Sequence, residues 1–464
     1  MSTTVDTQLD VASRVLDLVR DAAGSGAEAE VLVSRQELAL TRFANSYIHQ
    51  NVADAVTHVR LRLHLEGRTA VGSSTQLGDG LRDLVDRTVA ATRLSPLDPG
   101  WPGLTPPSPP PTSGNVDEAT VAATPDERAL RVRAFIDAAS GLNTAGYFRT
   151  NYVSAAFANS AGQSAAGAMT EAAMDGIART ATSDGVARLA SVRLADIDGS
   201  VLGTRAAAKA LASQNPVELP PGQYEVVLES DAVVDLLRNF AMWGFNGKAY
   251  LERRSFAQLG ERQFDEAVTF VEDVTTPRAL GLPFDVEGTP KRRVEFVANG
   301  VTRTVAHDRR TAAQAGTEST GNAHPAARAF GPIPLGMTMV PPGPEMPTEE
   351  VAGPAADLSV MALVSGVRRG LLVTDFWYTR VLDPRPLVIT GLTRNGVWLI
   401  EDGEITTPVK NFRFTQAYPQ ALAPGAVLGV GTHLVAQPGD WGSESFVAPA
   451  VRLGSWNFTG GASG

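Results

Sequence analysis

Residues 56–67 read VTHVRLRLHLEG, and this stretch constrains the fold more than any other. Val59, Leu61, Leu63 and Leu65 alternate with His58, Arg60, Arg62 and His64. A period of two belongs to a β-strand, because successive side chains of a strand point to opposite faces. One face is therefore expected to be buried and the other solvated. A sheet with an apolar face needs a cover, and the flanking segments supply one. Residues 7–23 place Leu9, Val11, Val15, Leu16, Val19 and Ala22 near helical spacing, and residues 77–92 do the same with Leu81, Leu84, Val85 and Val89.

The pattern breaks at residues 95–115, SPLDPGWPGLTPPSPPPTSGN. Proline donates no backbone hydrogen bond, so neither helix nor ladder continues and an extended connection is expected. TPDE at 124–127 then supplies a helix start: Thr124 caps, Pro125 suits the first turn and Glu127 closes a capping box. That helix is expected to end near Gly141. Strands follow to about Leu194, with turns at Ala161–Gly162 and Asp184–Gly185, and then a helix over residues 201–213. YEVVLES predicts a strand, and Ser230 or Asp231 is expected to cap the helix DAVVDLLRNFAMWG. Asn299–Gly300 and Asp402–Gly403 each sit between alternating segments and predict tight hairpins. The reading is an α+β protein, with a mixed α/β first half and a larger, mainly antiparallel β domain with a few helices. Its parts are 1–95, a Pro-rich linker at 96–115, a central α/β segment at 116–222 packing with the N-terminal domain, and 223–464.

The 464 residues include no cysteine, so disulfides, thiol catalysis and thiolate metal sites are excluded. A formal net charge of −10 and the lack of a long basic run make nucleic acid an unlikely direct partner. No apolar run approaches the ~18 residues of a membrane span, and the polar N-terminus carries no secretory h-region. A soluble, cytoplasmic protein without membrane contact is the expectation.

Chemistry is sparse. The six histidines form no HExxH or H-x-H. Arg60 and Arg62 beside His58 and His64 would repel a cation, so a solvated strand face is the better reading there. GFNGKAYLE, at 244–252, is not a phosphate loop: Met242 stands at the first glycine's place and Ala249 at the Ser/Thr. The acid pairs Glu349–Glu350 and Glu401/Glu404 fall in loop or turn contexts, where solvation accounts for them. HDRRTAAQAGTESTGNAHP, at 307–325, is richer: His307, Arg310, Thr320, Asn322 and His324 stand among residues permitting close backbone approach, including Gly316 and Gly321. A ligand-contacting loop and an irregular surface loop both fit it. In KNFRF, Phe412 and Phe414 are expected to face the core. Arg394, Asn395, Lys410 and Arg413 would then line a subunit surface, grip a substrate backbone or satisfy neighbouring strands.

PGQYEVVLES, YLERRSFAQLGERQF, TVAHDRRTAAQ, ESTGNAHP and TRNGVWLIEDGEITTPVKNFRFTQ, in that order and spacing, resemble the TldD/PmbA (TldE) metallopeptidase-related family, whose members are also labelled modulators of DNA gyrase. The resemblance covers most of the chain and is densest from Gly222 onward. It implies a division of labour. TldD-type chains carry HExxxH on a helix in the third quarter and a cysteine near the C-terminus, together a zinc site. TldE/PmbA-type chains share the architecture without those ligands, and the two types assemble into a protease for small or unfolded peptides. An ungapped comparison sets Gly244 and Ala249 at the two histidines and Phe245 at the glutamate. None of these can hold zinc or activate water.

The resemblance thus implies a non-catalytic subunit with no cofactor of its own, a zinc-bearing TldD-like partner in a heterodimer or larger assembly, and a peptide substrate. Two other readings stand beside it: a stand-alone peptide-binding or structural homodimer, and an independent hydrolase built on His307 or His324 with a nearby acid.

Overall fold

The computed structural model of the chain describes residues 2–109, 114–277, 279–343, 354–439 and 444–461. The strands group into three sheets. The first contains β1 (Glu28–Ala44), β2 (Tyr47–Leu65), β3 (Arg68–Ser74), β4 (Asn143–Asn159), β5 (Ser164–Arg179) and β6 (Asp184–Ser191), in the antiparallel order β3-β2-β1-β4-β5-β6. Residues on both sides of the Pro-rich segment thus share one sheet. Val59, Leu61 and Leu63 bury against the helices Ser2–Ala23 and Gly80–Leu94. Further along the same sheet, Phe148, Met174 and Leu189 pack under Pro125–Ala138 and Gly199–Ala212. The capping box at Thr124 and Glu127 forms as its sequence dictates.

Two local expectations fail here. Asp184–Gly185 begins β6 rather than forming the turn, which lies just before it. Asp184 instead pairs across the hairpin with Arg179 at 2.5 Å, and a Cβ on Gly185 would sit 2.2 Å from the Ala206 carbonyl of the overlying helix. Glycine is needed there for close approach, not for turning. Secondly, the helix Ser230–Asn239 has Glu229 at its N-cap with no side-chain cap bond: the Glu229 carboxylate is taken by Lys209, and Asp231, already inside the helix, turns to Arg188 at 3.5 Å.

The remaining strands are β7 (Gly222–Leu228), β8 (Phe270–Glu272), β9 (Val294–Ala298), β10 (Val301–Thr302), β11 (Gly336–Met339), β12 (Arg369–Asp383), β13 (Val388–Glu401), β14 (Glu404–Pro408), β15 (Phe412–Ala417), β16 (Val427–Val430), β17 (Val435–Gln437), β18 (Ser445–Ala448) and β19 (Val451–Gly461). In the second sheet the order is β12-β7-β19-β15-β13-β14, and β12 also pairs with β13. Five strands therefore close on themselves into a small barrel, which removes their free edges. Phe376 stacks on Trp456 at 5.0 Å inside this core, beside buried Phe412 and Phe414. The third sheet runs β10-β9-β8-β11-β18-β17. Asn299–Gly300 and Asp402–Gly403 make the expected hairpins, all four residues at positive φ.

The His58-to-His64 face of β2 is not simply solvated. It belongs to the side of the first sheet on which the C-terminal half packs, with Phe157 and Ala155 against Phe284. His64 stacks on Trp101 at 4.7 Å, and Arg62 bridges Glu30 and Glu287. The Pro-rich segment is pinned across this junction: the Trp101 indole donates to Glu28, and the Thr105 hydroxyl to the Glu287 carbonyl at 2.6 Å. Alternation fixes which residues share a face, but it does not say what covers them.

Candidate functional site

Residues 307–325 open with a helix, Arg309–Ala315, capped reciprocally by Asp308 and Thr311 and closed by left-handed Gly316. The chain then folds back on His307, whose carbonyl accepts from the Thr320 N–H at 3.0 Å and the Ser319 hydroxyl at 3.0 Å. The His307 ring is buried, faces the Thr311 hydroxyl at 3.2 Å, and has its pKa lowered by burial. His324 Nε2 donates to the Gly331 carbonyl at 2.8 Å, which fixes its tautomer, and burial lowers its pKa as well. Arg310 reaches away to Asp98, 2.7 Å distant, and ties down the Pro-rich segment. Burial would raise the Asp98 carboxyl, but hydrogen bonds from Arg310 and Thr69 outweigh it and hold the group down at about 2.

Asn322 and His324 line a cavity of about 400 Å³ between the first sheet and the C-terminal half. Leu32, Val153, Ala155, Met169, Leu282 and Phe284 form apolar walls. Its polar corner is Glu272, which takes Lys291 at 2.9 Å, the Gly336 N–H and the Asn322 amide. Asp285, also lining it, is pushed up to about 7 by burial first and by the Glu287 charge second.

Arg394, Asn395 and Lys410 line a separate, more polar cavity of about 720 Å³, between the β5–β6 turn and the barrel rim. Arg394 lies 4.5 Å over the Trp377 ring. Asn395 occupies a bulge in β13 at φ +59, donating its amide to Asp375 at 3.0 Å. Lys410 makes an exposed pair with Glu218. Arg413, exposed on β15, lines neither cavity. Of the site residues expected from the sequence, Asn322 and His324 thus reach the first cavity and Arg394, Asn395 and Lys410 the second, while His307, Arg310, Thr320 and Arg413 line neither. Glu349–Glu350 lies outside the described residues, and Glu401 pairs with Arg369 at the surface.

A third cavity, of about 400 Å³, escaped the sequence reading. Asp231, Asp235 and Arg238 line it from the helix Ser230–Asn239, and Asp175, Arg188 and Asp375 face them. Arg188 lies 2.8 Å from Asp375 and 3.0 Å from Asp175. Asp235 accepts from Tyr418 and Thr379, both at 2.8 Å, yet burial raises it to about 6. Arg238 donates to the Pro438 carbonyl at 2.9 Å, so this helix and the C-terminal segment meet across the cavity. The signal was present in the sequence: Asp231, Asp235 and Arg238 form a polar stripe at spacings of four and three on an otherwise apolar helix.

Gly244, Phe245 and Ala249 are all buried. Gly244 ends a π-turn, closed by the Phe245 N–H on the Phe240 carbonyl at 2.7 Å, and Ala249 belongs to the separate short helix Gly247–Leu251. Phe245 packs among Phe240, Phe256, Phe270 and Phe296, and a Cβ on Gly244 would meet the Phe256 ring at 2.4 Å. An aromatic core does not fit zinc, which needs N, O or S donors. Among the described residues no three or more His, Asp and Glu are grouped to hold a metal ion, and no helix is long and apolar enough to cross a membrane.

A family model described as the PmbA/TldA metallopeptidase C-terminal domain matches residues 221–460. A metalloprotease of Methanothermobacter thermautotrophicus is 24% identical over 212 residues, 45% of this chain and 43% of that protein. A metalloprotease of Methanocaldococcus jannaschii is 24% identical over 195 residues, 41% of this chain and 40% of that protein. The chain therefore matches less than half the length of these curated relatives. Two solved structures share the fold at 18% identity. TldE of Thermococcus kodakarensis superposes with a TM-score of 0.83 over 96% of this chain and 99% of its own. A Thermotoga maritima protein named as a modulator of a DNA gyrase gives 0.81 over 96% and 100%.

Proposed function

Because the chain belongs to the PmbA/TldD metallopeptidase family, we propose that it is a TldE/PmbA-like, non-catalytic subunit of a zinc metalloprotease that acts on small or unfolded peptides. Its partner is a TldD-like chain that brings the zinc and the general base. This chain shapes and lines the peptide chamber, and the pair works in the cytoplasm.

The observation that carries the reading is the aromatic packing around Phe245. At positions where the family resemblance sets metal ligands and base, this chain uses its side chains to hold its own core. The polar face of the preceding helix supports it too: Arg238 points to the C-terminal segment, and Arg188 stands in the same cavity. Arg188 already takes the Asp175 and Asp375 carboxylates that a divalent cation would need. The apolar cavity with its Glu272–Lys291 corner, and the polar one at Arg394, are suited to peptide side chains and termini.

The test mixes this protein with a family member carrying HExxxH and follows hydrolysis of a short unstructured peptide. The expected result is cleavage by the mixture, with co-elution of the two chains. A stable homodimer that binds peptide and neither co-elutes with nor activates such a chain would replace this reading with the stand-alone one.

A further inference from the structure

We infer that the outer edge of β2 is a self-association seam: Gln50–Asp54 pairs antiparallel with the same residues of a second copy of this chain, with Val52 at the two-fold axis. The inference goes beyond the subunit reading and does not depend on it, since residues 50–54 line none of the cavities described above.

β1 pairs with β2 from Tyr47 to His64, but β3 covers the other side only from Val59 to Leu65. Among the described residues no strand or loop pairs with that outer side between Tyr47 and His58. Every second residue there turns its N–H and C=O outward, away from β1. Gln50, Asn51, Val52, Ala53, Asp54 and Ala55 are all exposed, so both faces of the strand are open as well. Natural edges are guarded by lysine, proline or a bulge. Residues 50–58, QNVADAVTH, hold neither lysine nor proline, and the bulge falls outside them, at His49.

An unpaired row of backbone groups calls for another strand, and three features point to the same strand of a second copy. The first is fit. Pairing about Val52 sets Asn51 opposite Ala53 and Gln50 opposite Asp54. The second copy's turn at Asn45–Ser46 then comes level with the residues just before Val59, where β3 takes over the edge. Centring the pair further along, on Asp54 or Val56, drives the second strand into β3. The second feature is a continuous apolar row. Leu40 lies opposite Val52 on β1 and is half-buried, so Leu40, Val52 and their counterparts line up on one face across the axis. The third is charge. Asp54, the only acid in the edge, meets Gln50 of the second copy, whose amide oxygen accepts from Arg42 at 3.4 Å. The two-fold therefore brings Asp54 of each copy toward Arg42 of the other.

The experiment measures the mass of the full-length chain alone by analytical ultracentrifugation over about a hundredfold range of concentration. A monomer–dimer equilibrium is expected. Val52→Lys, at a site 41% exposed, keeps the fold and raises the dissociation constant at least about tenfold, because it sets two like charges opposite each other at the axis. The chain has no cysteine, so a single introduced one reports position cleanly. Directly opposed residues have Cα atoms about 4.5–5.5 Å apart, within disulfide reach. Val52→Cys is expected to give a covalent dimer on oxidation with diamide, and Leu211→Cys, on the exposed side of the helix Gly199–Ala212, is not. A monomer at every concentration, a dimer indifferent to Val52→Lys, or cross-linking at Leu211 equal to that at Val52 each overturns the inference. A chain that is monomeric alone, and whose co-elution with an HExxxH-bearing relative is blocked by Val52→Lys, assigns the edge to that relative and overturns the second-copy assignment. Dimerisation is read on the chain alone and peptide cleavage on the mixture, so failure here and failure of the subunit reading are distinguishable.

Discussion

At the scale of single residues, burial decides what each side chain does. Phe245 shows it most simply. Its ring is fully buried among four other phenylalanines, so Phe245→Ala should destabilise the protein by about 3–5 kcal/mol in urea denaturation. Asp285 shows the electrostatic side. Burial, then Glu287, raises its carboxyl from 3.8 to about 7, so the folded chain keeps a proton that the unfolded chain has released. The stability this contributes is complete below the unfolded value and is lost as pH climbs through 7. In urea titrations the wild type should lose stability relative to Asp285→Asn between pH 4 and 7, and the difference should level off above that. A wild type that gains stability relative to Asp285→Asn as pH rises would be the wrong sign. His307 and His324 lie at the other end of this range: His307 is buried and His324 half-buried, burial lowers both pKa values, and their imidazoles are taken up by Thr311 and a main-chain carbonyl.

At the scale of elements, local chemistry was legible wherever it is self-contained. The Thr124–Glu127 capping box needs only four consecutive residues, and Thr124→Ala should lower the thermal midpoint by an amount equivalent to about 1 kcal/mol. The Asn299–Gly300 and Asp402–Gly403 turns were readable for the same reason. Elements whose form depends on distant partners were not. Gly185 is a packing glycine because Ala206 lies above it, and nothing near it in the chain says so. The helix Arg309–Ala315 was read only as part of a loop, since its seven residues carry too little periodicity to stand out from the glycines and hydroxyls around it. The acidic cavity beside Ser230–Asn239 was half legible. The polar stripe on that helix is a sequence fact, whereas Arg188 and Asp375 arrive from other sheets.

At the scale of the molecule, the two halves are joined by buried charge as well as by apolar contact. Arg62 on β2 connects Glu30 of the first sheet with Glu287 of the C-terminal half, and the Pro-rich segment crosses the same seam through Trp101 and Thr105. Arg62→Ala leaves two carboxylates buried together and should cost about 3–5 kcal/mol. Calorimetry would show it, as a split of one transition into two if the seam alone is weakened. The first sheet borders both cavities, the apolar one with the third sheet and its connecting segments and the polar one with the barrel rim.

The central claim is that this chain lends a surface to peptide hydrolysis and not the chemistry. Its most direct test is the turnover of an unstructured peptide by the purified chain alone, with zinc supplied and without any relative present. No hydrolysis above the uncatalysed rate is predicted. Zinc-dependent turnover that survives repeated purification would contradict it.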